Sequence, residues 1–304
     1  MVVGLGQCAL DVLGRLPCYP EVDQKAQLGE VLIQGGGPVA TALVTLSRLG
    51  VAAAFLGRVG NDDFGRRIRQ ELLAEGVDCR GLKTDHGGSS QFAFIAVEES
   101  TGNRNIFWTP GSARPLCTDE VDSRFIRGCR VLHLDGLQLE ASLAAARIAR
   151  QNRVITVLDG GTFRKRTADL LPFIDHLVVS ERFASQVADG REPRSALKDL
   201  LRYGAQAVTV TLGAKGSHTL SQEGEEFYQP AFSVAAVDTT GCGDVFHGGY
   251  IYGLLQGWSL RCTVKFAAAC AALKTRALGG RTAIPSLHEV EAFLAKNSTN
   301  LKER

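Results

Sequence analysis

Val131-Leu132-His133-Leu134, then an alanine-rich run from Glu140 to Gln151, then Val154-Ile155-Thr156-Val157-Leu158, is the stretch that decides the fold class. Two short apolar runs flank a segment with helical spacing, and the same alternation continues in both directions. Toward the N-terminus, Val51 to Leu56 reads as a strand and Phe64 to Glu75 as a helix. Toward the C-terminus, His176 to Val179 and Ala207 to Leu212 read as strands. Long helical patterns follow over Cys242–Gln256 and Leu260–Thr275, with a last helix over Leu287–Ala295. Apolar strands separated by helices imply an α/β protein: a doubly wound, mostly parallel sheet with helices on both faces.

Two stretches break the alternation. Residues 12–35 carry Pro17, Pro20 and short apolar pieces without helical spacing. Gln91 to Val97, the turn Glu99-Ser100-Thr101-Gly102-Asn103, and Asn105 to Trp108 read as a hairpin. The pattern is met either by a small β-layer standing off the main sheet or by an edge extension of it.

The chain is large enough for a core that buries a pocket, with 304 residues of which 45% are hydrophobic and 22% charged. Thirty-four basic against 32 acidic residues give a net charge of +2. That balance predicts neither a nucleic-acid nor a membrane partner, since either favours a basic stripe. The eight cysteines contain no Cys-x-x-Cys pair, which argues against zinc and redox motifs. The opening Met1 to Gly6 runs into an apolar strand with no charged leader, and no apolar run reaches the ~18 residues of a membrane span. A cytoplasmic protein is expected.

The chemistry concentrates in Val237-Asp238-Thr239-Thr240-Gly241-Cys242-Gly243-Asp244-Val245-Phe246, where an extended piece meets a long helix. Gly241 and Gly243 admit a tight turn and a ligand close to backbone. The first helical amides carry a partial positive charge that binds phosphate. Phosphoryl transfer needs positioning, charge neutralisation and a proton acceptor. Gly241, Cys242 and Gly243 offer the anion cradle and Asp244 the base; the plainer alternative is an ordinary helix cap. A thiol at a helix N-terminus can have a lowered pKa, so Cys242 is also a candidate oxidation-sensitive group, with space-filling as the alternative.

Gln34-Gly35-Gly36-Gly37-Pro38-Val39-Ala40-Thr41-Ala42 opens a second helix from a glycine turn. Together with Asp-Thr-x-Gly-x-Gly-Asp at 238–244, it resembles the two signatures of the ribokinase-like (PfkB) sugar kinase family. Gly57-Arg58-Val59-Gly60-Asn61-Asp62 with Phe64-Gly65, Thr211-Leu212-Gly213-Ala214-Lys215-Gly216 and Gly279-Gly280-Arg281 extend the resemblance over the whole chain, in order.

The resemblance implies an ATP-dependent kinase acting with Mg2+ on a sugar or sugar-acid hydroxyl. Its core would be residues 1–11, 36–89 and 109–296, its β-lid 12–35 and 90–108, with 297–304 a frayed tail. Asp244 is then the base and the Gly241–Gly243 amides the anion hole. Asp11, Gly36, Gly37 and Thr41 fall at the sugar, Thr41 standing where the family usually has Asn. Gln91, beside Ser89-Ser90, belongs with the same contacts. Arg104 is either a partner for an acidic or phosphorylated substrate or an exposed turn arginine. Thr211, Gly213, Lys215 and Gly216 fall at the nucleotide, unless Lys215 is an exposed turn lysine. Ser180-Glu181 replaces the family's Asn-x-x-Glu, placing Ser180 at the nucleotide and Glu181 at the metal through water, unless Glu181 is an ordinary first-turn acid. Asp238 and Thr240, with the region Ala277–Ile284, would hold a monovalent cation such as K+, and the lid edge would pair two subunits into a homodimer.

Gly35–Pro38, Ser89–Gln91, Thr156–Gly160 and Val245–Gly248 look most like the sulfofructose kinase branch. Trp108 and Leu137 stand where Asn and Arg are expected to hold a sulfonate, so a neutral or carboxylated sugar is expected instead. Three other readings compete. A nucleoside kinase of the same family would share the base and anion hole. A non-catalytic sugar-binding relative would not need Asp244. A nicotinamide-dependent dehydrogenase finds Gly4-x-Gly6-x-x-Ala9 after a strand, but an extended stretch with Pro17 and Pro20 follows where a helix is required. No Gly-x4-Gly-Lys-Ser/Thr occurs, which excludes a P-loop enzyme by pattern.

Overall fold

The structure is a computed structural model describing residues 1–100, 102 and 104–299. Its strands, in chain order, are β1 (Val2–Leu5), β2 (Ala9–Leu16), β3 (Val31–Gly36), β4 (Ala53–Gly60), β5 (Leu82–Asp85), β6 (Phe92–Glu98), β7 (Arg104–Thr109), β8 (Val131–Leu134), β9 (Ile155–Gly160), β10 (His176–Ser180), β11 (Ala207–Thr211), β12 (Ser217–Ser221) and β13 (Glu226–Gln229). The helices are α1 (Pro38–Arg48), α2 (Asp63–Ala74), α3 (Ser123–Arg127), α4 (Leu139–Gln151), α5 (Thr167–Leu170), α6 (Glu181–Ala188), α7 (Ala196–Leu201), α8 (Cys242–Leu255), α9 (Leu260–Lys274) and α10 (Leu287–Thr299).

Nine strands form the main sheet in the order β13-β12-β11-β10-β9-β8-β1-β4-β5. All neighbours run parallel except around β12, which is antiparallel to β11 and β13. Alternate residues of each strand enter different cores, as the two-residue period of a strand requires. Val3, Leu5, Leu132, Leu134, Leu158 and Leu177 pack with α3, α4, α6 and α7, whereas Val2, Val131 and Val157 pack with α1, α2, α8, α9 and α10. Both faces are therefore covered, and the central strands read as unbroken apolar runs for that reason.

The helix that opens at the signature turn is hydrophobic on every side, with Val245 to Gly253 all buried. Such a helix belongs in the interior. Its glycines set how close its neighbours come: a Cβ on Gly248 would lie 2.6 Å from the Thr45 Cβ of α1, and one on Gly249 would lie 2.9 Å from the Ala267 Cα of α9. Tyr250, fully buried in the same helix, satisfies its hydroxyl on His176 Nδ1 at 3.1 Å. Burying side chains of this size stabilises the fold by roughly 1.5–3 kcal/mol each.

The two irregular stretches meet in a separate four-stranded sheet, ordered β3-β2-β6-β7. The hairpin over 91–108 is present as antiparallel β6 and β7, and residues Thr101 and Asn103 of its turn lie outside the described residues. β2 also pairs with β6 in parallel, a long-range pairing that no local turn signal announces. The sheet takes in Ala9 to Asp11 before residue 12, Gly36 beyond 35 and Thr109 beyond 108. Leu13, Ala93, Ile95 and Val97 pack against Leu278 on its inner face. Elsewhere the strand expected at 51–56 begins at Ala53 and continues to Gly60, and the β12–β13 hairpin was not anticipated. The last helix continues past Ala295 to Thr299, so 297–299 are helical; residues 300–304 of the expected frayed tail lie outside the described residues.

Candidate functional site

The carboxyl ends of β8, β9, β10 and β11, together with the N-terminus of α8 and the inner side of the small sheet, converge on one region. Ligands of open α/β sheets bind at such strand ends. Its centre is the turn before α8. One Asp238 carboxylate oxygen accepts the Thr240 amide at 2.8 Å and the Thr240 hydroxyl at 2.7 Å, and the other accepts the Gly279 amide at 2.8 Å. The turn is thereby tied to the loop after α9. Gly241 caps the helix in the left-handed region at φ 74°, and a Cβ there would meet the Gly280 backbone at 2.9 Å. No side chain caps α8. The Cys242 amide turns back to the Thr239 carbonyl at 3.3 Å, and the Val245 amide donates to the Gly241 carbonyl. Among the described residues the Gly243 and Asp244 amides have no acceptor outside the helix, so they are available to an anion.

Asp244 stands half-buried in this first turn. Burial raises its pKa well above the usual carboxylate value, Asp159 and Asp11 push the same way, and Arg281 and Arg104 oppose them. A carboxylate so placed is a stronger proton acceptor than one in water. The same burial raises the Cys242 thiol. This corrects the expectation of a lowered thiol pKa at the helix terminus: desolvation outweighs the helix dipole, Arg104 and Lys274.

On the small-sheet side, Asp11 lies on β2 and is pushed up to about 6, mainly by burial. A Cβ on Gly36 would fall 1.9 Å from the Asp11 Oδ2, so the glycine makes room for that carboxylate. Gly37, at φ 95°, caps α1. Thr41 is buried, and its hydroxyl accepts from Arg281 Nε at 3.2 Å while keeping its own O–H donor. Arg281 also donates from Nη2 to the Gly36 carbonyl at 3.0 Å. It is buried, and it is the main residue that sequence reasoning missed; only its place after Gly279-Gly280 marked it. Gln91 precedes β6 with a buried side-chain oxygen that has no protein partner. Arg104 is neither exposed nor in a turn: it begins β7, is half-buried, and donates from Nη1 to the Thr239 hydroxyl at 2.5 Å. The small sheet is thus fastened to the turn before α8.

Behind Asp244, His247 Nδ1 lies 2.7 Å from the Gly243 carbonyl and 3.5 Å from an Asp159 carboxylate oxygen, and Nε2 lies 3.1 Å from the Val178 carbonyl. These contacts pin the first turn of α8 to β9 and β10. Neither Asp159 nor His247 was singled out from sequence, since the partners are far apart in the chain.

On the opposite side, Thr211 ends β11, and Gly213 and Gly216 bend the following loop at φ 59° and 84°. The structure brings Lys215 and Glu181 together as an exposed pair at 3.5 Å. Ser180 caps α6 by accepting the Phe183 amide at 3.1 Å and donates its own hydroxyl to the Gly161 carbonyl at 2.8 Å. Its hydroxyl donor is therefore committed to the fold.

Glycine bends with an exposed lysine at strand ends suit a triphosphate. Among the described residues no group of three or more His, Cys, Asp or Glu forms a metal cage. Mg2+ held chiefly by nucleotide phosphates, with one carboxylate such as Glu181 reached through water, needs none. A monovalent cation at Asp238 and Thr240 does not fit in the same way. The Asp238 carbonyl already accepts from Lys274 Nζ at 2.9 Å, and both carboxylate oxygens hold N–H or O–H donors. A second unit charge about 4 Å from that ammonium would meet roughly 4 kcal/mol of repulsion at an effective dielectric of about 20.

Comparison with known proteins agrees with this geometry. Residues 1–287 match the model of the pfkB family of carbohydrate kinases. The ATP-dependent ribose-1-phosphate kinase of Halopiger xanaduensis is 29% identical, over 97% of this chain and 98% of its own. The ribokinase of Schizosaccharomyces pombe is 30% identical, over 87% of this chain and 88% of its own. Among solved structures, an E. coli chain provisionally assigned as ribokinase II, in complex with ATP and Mg2+, superposes with a TM-score of 0.84 at 25% identity, over 97% of this chain and 99% of its own. No helix among the described residues is long and apolar enough to cross a membrane.

Proposed function

Because the chain belongs to the PfkB family of carbohydrate kinases, we propose that Asp244 takes the proton of a sugar hydroxyl as that hydroxyl attacks the γ-phosphorus of ATP. The bond that forms joins the acceptor oxygen to the γ-phosphorus. The bond that breaks joins that phosphorus to the bridging oxygen of ADP, and the proton rests on Asp244. The observation that carries this assignment is the half-buried Asp244 beside outward-facing amides, its pKa raised by burial. Amides of the Gly241-Cys242-Gly243 turn and of Asp244 itself hold charge developing on the phosphoryl oxygens. Mg2+ arriving with ATP neutralises its phosphates.

Asp11 grips acceptor hydroxyls, Gly36 and Gly37 let the sugar lie against backbone, and Gln91 offers its unpartnered oxygen. Thr41 acts through Arg281. Arg104 closes the small sheet over the acceptor and suits a sugar acid. Thr211, Gly213, Lys215 and Gly216 receive the nucleotide, with Ser180 and Glu181 beside them. In this reading residues 12–35 and 90–108 serve as a lid on the rest of the chain.

Exposed Ile106, Phe107 and Trp108 on the edge strand β7, with Val31 and Ile33 on β3, support a homodimer through the lid. A Trp108→Glu chain sedimenting as a monomer, where the parent is a dimer, tests it; a parent that is already a monomer rejects it. All eight cysteines are unpaired, which suits a reducing, cytoplasmic setting.

The test of the substrate is ADP release from Mg·ATP with pentoses, ketoses, sugar acids, a sugar phosphate and nucleosides. Turnover with a sugar or sugar acid supports the assignment. Turnover with a nucleoside alone overturns it in favour of a nucleoside kinase.

A further inference from the structure

Lys274 is the last residue of α9, and its side chain is completely buried. An ammonium is rarely carried out of water without a compensating charge. Here its Nζ donates to the Asp238 carbonyl at 2.9 Å. The next residue, Thr275, accepts the Val237 and Asp238 amides on its carbonyl, so the same short segment meets the signature turn three times. Burial lowers the pKa of Lys274, while Asp238, Cys242 and Asp244 act to keep it charged and Arg104 acts against. The end of a helix also favours a cation, because the last carbonyls carry partial negative charge.

We propose that Lys274 is a built-in cation for the phosphate-binding turn, occupying the place of a monovalent metal ion, so that phosphoryl transfer by this chain needs no K+. The inference rests on the proposed reading of that turn as the phosphoryl site. Lys274 is a positioning residue. It fixes the Asp238 carbonyl and balances the Asp238 carboxylate, whose own donors are the uncharged Thr240 and Gly279 groups. The turn that aims the α8 amides is held by a covalent charge rather than by an exchangeable one. A chain with a neutral side chain at 274 would leave that carbonyl and carboxylate facing each other without a cation, and an ion from solvent would then find a site.

The experiment compares KCl, NaCl and tetramethylammonium chloride at equal ionic strength, on the full chain and on Lys274→Ala and Lys274→Arg. Thermal melting is read first, because it does not depend on the kinase assignment. ADP release with the best sugar of the panel is read second. The wild type and Lys274→Arg are expected to melt and turn over alike in all three salts. Lys274→Ala is expected to melt lower and to lose on the order of tenfold in kcat/KM in tetramethylammonium, with KCl restoring most of both. Selective rescue by K+ is a response that a merely structural lysine would not give. Wild-type turnover raised about fivefold or more by K+, or melting that K+ selectively raises, overturns the proposal. So does a Lys274→Ala chain equally impaired in every salt. If that variant does not fold, the wild-type and Lys274→Arg salt series decide alone. Wild-type melting that ignores the salt, with Lys274→Ala melting restored by KCl, while no sugar releases ADP, would leave the lysine as the built-in cation and remove the kinase assignment instead.

Discussion

Gly36 is the position where a single methyl group should separate acceptor binding from everything else the protein does. A Cβ there would sit 1.9 Å from Asp11 Oδ2 and 2.4 Å from its Cγ, about 1.5 Å inside ordinary van der Waals contact at 3.4 Å. The strand backbone cannot supply that space. β3 is held to β2 over Ala9–Gly36 through Gly14–Val31, and the Gly36 carbonyl is held by Arg281. The Asp11 carboxylate must therefore rotate away by more than 1 Å. A displacement of that size at a binding group costs on the order of 10²-fold in activity. Overpacking costs about 1–3 kcal/mol of stability, or a fall of about 2–4 °C in Tm for each kcal/mol in a chain somewhat smaller than this one. Gly36→Ala should thus raise the sugar KM and lower kcat/KM by about 10²-fold, with ATP binding retained when measured by calorimetry. The decisive control is Asp11→Ala, which removes the obstructing carboxylate. In that background Gly36→Ala should cost clearly less than in the wild type, because the Asp11 clash is gone and only the approach of the sugar to the Gly36 backbone is still obstructed. Fully additive losses in the cycle would refute the steric argument.

Asp244 carries a stability signature opposite in sign to its importance. Its folded pKa lies above its ordinary value near 3.8, so the folded state binds more protons than the unfolded one above that pH. Stability contributed by this group is then present below the unfolded value and lost as pH rises through the folded one. Asp244→Asn should melt higher than the parent at neutral pH, and the difference should vanish near pH 4; a variant less stable at neutral pH would contradict the assigned desolvation. Asp11, pushed up to about 6, adds a loss of the same sign between about pH 4 and 6. Arg104→Met removes a charged donor from Thr239, an interaction worth about 1.5–3 kcal/mol, and should lower kcat/KM by roughly 10–100-fold. It should also move the acid limb of the pH–rate profile upward, since Arg104 holds the Asp244 pKa down. An unchanged limb would separate Arg104 from the base.

The mostly parallel character of the main sheet and its two-sided cover were legible because they rest on local periodicity, whereas the order of its strands was not. Strands buried on both faces are continuous apolar runs, and a helix buried on all sides, such as α8, is apolar throughout. The signature turn was equally plain, since glycines and an acid at fixed offsets carry their meaning locally. What escaped was long-range. Arg281 meets Thr41 across 240 residues and Gly36 across 245, and nothing in its own neighbourhood foretells that. The His247–Asp159 contact joins α8 to the end of β9, and the parallel β2–β6 pairing joins segments with no turn between them. Those contacts also changed the roles assigned to single residues. Thr41 accepts from Arg281, Ser180 also caps a helix, and Arg104 holds Thr239 from the start of a strand rather than being an exposed turn residue. For Cys242, burial, which is a property of the packed helix, pushes the thiol pKa up where its position in sequence suggested a lowered one, which favours the space-filling alternative.

The central claim is that Asp244 is the base of a sugar kinase, and ADP release by wild type and Asp244→Asn tests it most directly. With Mg·ATP and the preferred sugar, the wild type should turn over and Asp244→Asn should lose about 10²-fold or more while still binding ATP. Retention of activity within about tenfold, with the sugar product still formed, would show that the proton goes elsewhere.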